Sequence, residues 1–353
     1  MLVTVSTVKD TLANLQRFVA GNLAGGIDHL VVFVDAPRDT DPAALEFLEA
    51  HPSVSCVCTG KAWWQGDRPG QLNVRQRINA NLAKAALSQV SGVEWVFHVD
   101  ADEIAQIDRA ALDRAPADAR VVRLAPLEAV SQRAWAKDPT LFKRMLDHDD
   151  LVLLHTLGVI DRPRNGAVFH GHVDGKSGVR PDLDLWLTLH HVVDADKEKQ
   201  EPWQHPGLRL LHYESFSGED FVRKWTSMLE AGGSVNFRPA REPTATALRT
   251  LIGKGLSAEA AQPYLMRIFE RTTEDDLTTL RDLGLLEEID PLAGTHVPQP
   301  FEDGAREELT GLLERLAEAP KRAFHPGQPA DGIRRLLDEA GDVRAGRTSQ
   351  HRS

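Results

Sequence analysis

Cysteine is almost absent from this chain of 353 residues. The two present, Cys56 and Cys58, are separated by one residue in an apolar, strand-like run, so their side chains are expected to point the same way. A lone pair makes neither a zinc site nor a disulfide framework. The expectation is two buried, apolar cysteines in a reducing compartment. Long hydrophobic runs are also lacking. No window approaches the ~18 apolar residues that a membrane span needs. The opening stretch Met1 to Asp10 has no basic flank, no small-residue cleavage site and too short an apolar run for a secretory signal. A cytoplasmic protein with no membrane span is the reading. Positive charge is in deficit, with 41 Lys and Arg against 52 Asp and Glu, a formal net charge of -11. That field repels nucleic acid and anionic membranes, so neither is an expected partner. Lys176 and Arg180 form one local basic cluster against this background. No internal repeat is present.

What is there suits a folded protein. Hydrophobic residues make up 42% and charged residues 26%, enough for a sizeable core in about two domains or one large domain with an extension. The first ~125 residues alternate strand and helix signals. Leu2 to Val8 reads as a strand, and Thr11 to Leu23 as a helix stopped by Gly25-Gly26. His29 to Val34 is a continuous apolar run ending at Asp35, the pattern of a strand covered on both faces. A short helix over Ala43 to Ala50, a strand over Val54 to Thr59 and a strong helix over Leu72 to Val90 follow. Trp95 to Val99 is a fourth strand running into Asp100, and Val121 to Leu124 a fifth. This order predicts an α/β fold with a mostly parallel sheet flanked by helices. Ligands of such sheets bind beyond the carboxyl ends of the strands, where Asp35 and Asp100 fall. Residues 126–215 are irregular, with short apolar strands at Leu151 to Leu154 and Leu187 to Leu189. Beyond 217 helix signals dominate, and Asp342 to Ser353 is a polar, disordered tail.

Five Asp-x-Asp pairs occur: Asp39/Asp41, Asp100/Asp102, Asp147/Asp149, Asp182/Asp184 and Asp194/Asp196. Position must separate chance from chemistry. Asp100/Asp102 ends a buried strand after a strong helix. Two carboxylates there repel one another unless a cation or donors offset them. Mg²⁺ or Mn²⁺ takes oxygen ligands and shares them between one or two carboxylates and phosphate oxygens. Asp194/Asp196 also follows an apolar run and is the rival; Asp39/Asp41 reads as turn and helix-cap chemistry before Pro42.

Four stretches in order resemble the GT-A-fold glycosyltransferases of the family 2-like group. They are Thr4 to Asp10; Val31 to Asp35; Arg75 to Ala80 with Trp95 to Glu103; and Gly175 to Pro181 with His190-His191, Leu211 to Tyr213 and Phe221 to Lys224. The resemblance spans residues 1–235. The second strand departs from it, continuing Ala36-Pro37-Arg38-Asp39, and residues 126–170 match nothing in it. It implies a Rossmann-like GT-A domain: a nucleotide-sugar-binding half over 1–125, an acceptor-side half over 126–235, a helical C-terminal extension over 236–340, then the 341–353 tail.

The resemblance also implies roles. Asp35 contacts the donor nucleoside, and Arg75, Gln76 and Asn79, within one helical turn, reach the donor. Asp102 ligates Mn²⁺ or Mg²⁺, with Asp100 near the ribose or the metal. Lys176 and Arg180 balance the diphosphate, a solvated turn being the other reading of this pair. His191 is a candidate third metal ligand; at most one of His190 and His191 serves, because they point oppositely. Glu103 either orients the aspartates or is a first-turn helix acid. At most one of Trp63, Trp64, Trp186 and Trp203 stacks on a sugar. The reaction implied is inverting transfer from a nucleotide-sugar donor to a glycan or small-molecule acceptor. Asp182 is the chosen base, with Asp161, Asp174 and Asp184 as competitors. A metal-dependent phosphoesterase or nucleotidyltransferase, or a non-catalytic nucleotide-sugar-binding protein, are the alternatives.

Overall fold

The computed structural model describes residues 1–230, 241–328, 333 and 335–337. The expected boundary at 235/236 and the 341–353 tail lie outside the described residues. In chain order the elements open with Leu2–Val8 (β1), Leu12–Ala24 (α1), His29–Asp35 (β2), Pro42–Ala50 (α2), Val54–Thr59 (β3), Lys61–Trp64 (α3), Leu72–Leu87 (α4) and Trp95–His98 (β4). Glu103–Ile107 (β5), Arg109–Leu112 (α5), Val121–Ala129 (β6), Leu141–Lys143 (β7), His148–Thr156 (α6), Asn165–Val168 (α7), Lys176–Val179 (β8), Trp186–Leu187 (β9) and Val192–Val193 (β10) follow. The remainder is Trp203–His212 (β11), Gly218–Glu230 (α8), Glu242–Ile252 (α9), Ala258–Thr272 (α10), Leu277–Asp282 (α11), Leu286–Glu288 (β12) and Asp303–Ala317 (α12).

The chain divides into two compact units. One holds Met1–Ala125, Asp174–Leu210 and Pro291–Ser353; the other holds Pro126–Val173 and Leu211–Asp290. This differs from the sequence-based division at 125 and 235. The acceptor-side stretch and the helical extension are each shared out, with α9 to α11 in the second unit and α12 in the first.

The first unit is a Rossmann-like α/β arrangement. Strands run β3-β2-β1-β4 in parallel, and β8 joins β4 antiparallel. β1 and β2 are buried along their whole length, because helices cover both faces. Ile78 and Leu82 of α4 and Leu309, Leu313 and Leu316 of α12 pack on one face with Val3, Val5, Val31 and Phe33. Leu15, Phe18 and Val19 of α1 and Leu48 of α2 pack on the other with Leu30, Val32 and Val34. α1 starts on Thr11, whose side chain accepts from Asn14 N, and stops at Gly25 and Gly26, the latter at φ 107. β3 is an edge strand, so Cys58 is exposed and Cys56 half-buried rather than both being core. Burial, then Cys58, pushes the Cys56 thiol up to about 12.

In the second unit β7 pairs antiparallel with the end of β6 and with β12. One core gathers α6, α7 and α11, and another α8, α9 and α10. The expected strand at Leu151 to Leu154 is instead part of α6. Asp147 caps that helix by accepting from Asp150 N, Asp149 and Asp150 sit in its first turn, and Leu151 and Leu154 face inward three apart. A four-residue apolar run fits either period, so only the cap decides. At the centre of this unit lies Lys143, fully buried, 3.0 Å from Glu128 and 3.0 Å from Asp275. Among the described residues no helix is long and apolar enough to cross a membrane.

Candidate functional site

Near the carboxyl ends of β1, β2 and β4 stand Thr7, Asp35 and Asp100. Val5 is level with His98, so two residues further Thr7 comes level with Asp100. Asp35 closes β2 beside them. Three residues in the first half of α4 reach these three strand ends. Arg75 grips Asp35 with Nε to Oδ1 at 3.0 Å and Nη2 to Oδ2 at 2.7 Å. Gln76 Nε2 donates to Asp100 Oδ1 at 2.6 Å, and Asn79 Nδ2 to Thr7 Oγ1 at 3.0 Å. The helical offset of one and four residues fans these side chains across adjacent strands. Arg75 also donates to the carbonyls of Pro69 and Gly70 at 2.9 Å each, so it serves as a clamp on this edge. Arg68, half-exposed, adds a second guanidinium 2.9 Å from Asp35.

Asp100 is held from its other side by Lys176. The Nζ is 2.6 Å from Asp100 Oδ2 and 3.4 Å from Glu103 Oε2, with the lysine side chain 0% exposed. Burial alone lowers the pKa of Lys176. Asp100 and Glu103 outweigh that and hold the ammonium above its ordinary value. Lys176 lies in β8, so the solvated-turn reading of this residue is ruled out. Glu103 is the first residue of a strand rather than a first-turn helix acid. Its Oε2 accepts from Asp100 N at 2.7 Å, while its own N donates to Asp100 O at 3.1 Å. The tight turn 100–103 thereby carries Asp102, half-buried, between the two acids that hold the lysine.

The other expected members are placed elsewhere. β8 runs against β4, with Phe97 opposite Gly178 and Val96 opposite Val179. This register sends Arg180 to the amino end of β4, where its guanidinium lies 4.5 Å from the Trp95 ring centroid and donates to Ala119 O at 3.2 Å. Arg180 therefore does not join Lys176. Asp182 follows it and stands beside Lys84 in the last turn of α4 and Ser88 and Gln89 just after it. From Gln76 to Ser88 the helix rises roughly 18 Å, so Asp182 and Asp184 sit at the opposite edge from Asp100. His191 Nδ1 accepts from Arg123 Nη2 at 3.1 Å. Burial, then Arg123 and Lys199, lowers its pKa. Among the described residues, no set of three ligand atoms that one ion could span includes His191 or Asp100. Asp194 accepts from the backbone of Asp196 and Glu198, a turn. Asp41 caps α2, accepting from Ala43 N.

Sequence reasoning missed Thr7, Arg68 and His98. His98 is a polar residue within an apolar strand, which is a usable signal; the loop holding Arg68 offers none. His98 is buried, and its Nδ1 lies 3.0 Å from the Thr188 carbonyl, so that nitrogen carries the proton and donates. Its Nε2 meets no hydrogen-bond partner among the described residues. Burial, then Lys176, lowers its pKa.

Formal charge divides along this edge. At the end of β2 two guanidiniums face one carboxylate, leaving one net positive charge. After β4 one ammonium, Lys176, faces two carboxylates, Asp100 and Glu103. The donor set could offer a hard cation the carboxylate of Asp102. It does not suit the expected cage of two aspartates and an imidazole, since both Asp100 oxygens already accept hydrogen bonds. Buried acids and imidazoles that could hold a metal are Glu103 in the first unit and His172, His212 and Glu214 in the second.

No family model and no curated protein matches the chain. Among solved structures, the crystal structure of HddC from Yersinia pseudotuberculosis is similar at 10% identity over 63% of this chain and 96% of that one, with a TM-score of 0.31. A likeness at that level carries no argument about fold or activity.

Proposed function

We propose that the first unit binds a nucleotide sugar across the carboxyl ends of β1, β2 and β4, and that the chain is an inverting glycosyltransferase of the GT-A, family 2-like kind. The division of charge between the β2 and β4 ends carries this reading. A nucleoside diphosphate brings anionic oxygens that the Arg68 side attracts, and a divalent cation is drawn to the Asp102 side. Asp102 would hold Mn²⁺ or Mg²⁺, which when bound supplies positive charge for the departing diphosphate. Asp35, gripped by Arg75, is oriented toward the nucleoside. Lys176 and Gln76 hold Asp100 in place, so the turn carrying Asp102 does not collapse when the cation leaves.

Transfer forms a bond from an acceptor hydroxyl oxygen to the anomeric carbon as the bond from that carbon to the diphosphate oxygen breaks. The hydroxyl proton passes to a carboxylate. With Asp182 at the far edge, Asp174 takes that role. It is exposed two residues before Lys176, and near enough to Arg123 and His191 to favour their charged forms.

The test is a panel of sugar nucleotides incubated with and without Mn²⁺. Release of nucleoside diphosphate is expected, with Asp102→Asn abolishing metal-dependent thermal stabilisation by that product. Asp174→Asn should lower turnover by about 10²–10⁴-fold while the stabilisation persists. Release of nucleoside monophosphate or pyrophosphate instead would show cleavage at phosphorus and a nucleotidyltransferase or phosphoesterase. Stabilisation without turnover for any donor would show a binding protein.

A further inference from the structure

Helices α9 and α10, both in the second unit, leave a groove of about 420 Å³ between them. Two sequence stripes build it. Ala247 and Leu251 of α9 stand four residues apart, and so do Tyr264 and Ile268 of α10, so each pair lies on one helix face. Neither pair belongs to the core beneath. Ala245 and Leu248 of α9 and Met266 and Phe269 of α10 are buried there with Phe221 and Trp225 of α8. The groove side chains stay at the surface: Tyr264 is 57% exposed, Ala247 is exposed, and Leu251 and Ile268 are half-buried. Water offers such a wall no hydrogen bonds, and hydrocarbon that displaces it gains affinity, about two- to fourfold per methylene.

The rim carries charge of one sign. Arg267 and Arg271 both line the groove and both are exposed. They stand one turn apart on α10, where like charges repel. Among the described residues neither guanidinium forms an ion pair. Glu270 of the same helix is engaged elsewhere, 2.7 Å from Arg133. An anion between the two arginines removes their repulsion, and guanidiniums take phosphate oxygens in bidentate pairs. A phosphate monoester, with about 1.5–2 negative charges at pH 7, balances both arginines. A carboxylate balances one.

An apolar wall with a cationic rim selects a hydrocarbon body with an anionic end. A free anion leaves the wall wet. A neutral hydrocarbon leaves the guanidiniums unbalanced, and a cationic amphiphile adds like charge to them. The volume holds about fourteen water-sized groups at ~30 Å³ each, on the scale of one chain of about ten to twelve carbons and its head. The formal net charge of -11 opposes approach to an anionic bilayer, so the occupant is a single molecule taken from solution. We propose that the groove between α9 and α10 binds one single-chain alkyl phosphate, its chain along Ala247, Leu251, Tyr264 and Ile268 and its phosphate between Arg267 and Arg271. The proposal does not rest on the transferase reading.

The experiment is isothermal titration calorimetry of the full chain with decyl phosphate below its critical micelle concentration, which should show one site per chain. Dodecyl phosphate should bind about four- to sixteenfold tighter. Inorganic phosphate and decyltrimethylammonium should each bind about tenfold more weakly than decyl phosphate, or not at all. Arg267→Gln and Arg271→Gln should each weaken decyl phosphate about tenfold while keeping the gain from the longer chain. Ala247→Leu, which fills the groove from an exposed position, should weaken both alkyl phosphates about tenfold with unaltered circular dichroism. The proposal is overturned by absence of binding for both alkyl phosphates, by equal affinity for the ammonium amphiphile, or by variants that bind as the unaltered chain does. Uptake of several molecules per chain, which is detergent adsorption, also overturns it. So does binding confined to phosphatidic acid vesicles, which would make the site a membrane contact.

Discussion

At the scale of single residues the decisive one is Lys176. A fully buried ammonium is tolerated because Asp100 and Glu103 surround it, and those acids are tolerated because of it. Lys176→Met should destabilise the protein by about 3–5 kcal/mol by leaving buried charge uncompensated. The triple change K176M/D100N/E103Q should recover most of the loss, both read by urea denaturation. The lysine has a raised folded pKa, so its contribution is fully present below its unfolded value of about 10.4 and disappears as pH rises through the folded one. Its importance was half legible. Lys176 stood out as a basic residue in an acidic chain, but its burial did not, because the Lys-Ser-Gly-Val run looks like a turn until β4 and β6 pair with it.

At the scale of elements, the antiparallel seam between β4 and β8 sorts the site. Gly178 lies opposite Phe97, and a Cβ there would press into the edge of the Phe97 ring, closer than side chains approach. Gly178→Ala should cost about 1–3 kcal/mol by overpacking, and Phe97→Leu in the same chain should recover part of it, again by denaturation midpoint. A cost near zero would mean the seam is looser than its register implies. The five Asp-x-Asp pairs show how local chemistry can be read and where it fails. Asp41 before Pro42 is the cap its sequence suggests. Asp147 is a cap too, yet the apolar residues after it read as a strand because four residues cannot distinguish the two periods. Asp182 lies six residues after Lys176 in sequence. Strand direction carries the chain away from Asp100 within those six residues.

At the scale of the whole molecule, buried ionisable groups set how stability responds to pH. His29 is fully buried, its Nε2 2.9 Å from Ser55 Oγ, and burial, then Arg306, brings its pKa down to about 3. Unfolding lets it take a proton, so stability should fall as pH drops below its unfolded value of about 6.5. Glu128 and Asp275 are opposed by burial, but Lys143 and the histidine at 170 outweigh it and hold both carboxyls low. Their contribution is present above unfolded values of about 4 and is lost as pH falls through the folded ones. Urea titrations between pH 8 and pH 3 should show a first decline beginning near 6.5 and a steeper one near 4. Hydrogen exchange should place the second decline in residues 126–173 and 241–290. A flat profile down to pH 4 would show that His29 is not buried neutral.

The amino-acid order by itself determined the alternation of strands and helices up to residue 125 and the acids at two strand ends. It also determined the pattern of one helix whose first turns would face them. These are local matters of period, cap and apolar run, settled within a dozen residues. Only the tertiary structure decided that Arg75 and Asn79 grip the ends of β2 and β1 and Gln76 the turn after β4, that Lys176 is buried against Asp100, and that Arg180 and Asp182 lie at the other edge. It also decided that the chain after residue 291 returns to the first unit, where Asp28 accepts from His296 and from the backbone of Gln299. Each depends on strand direction and register between segments far apart in sequence, which local preference does not encode.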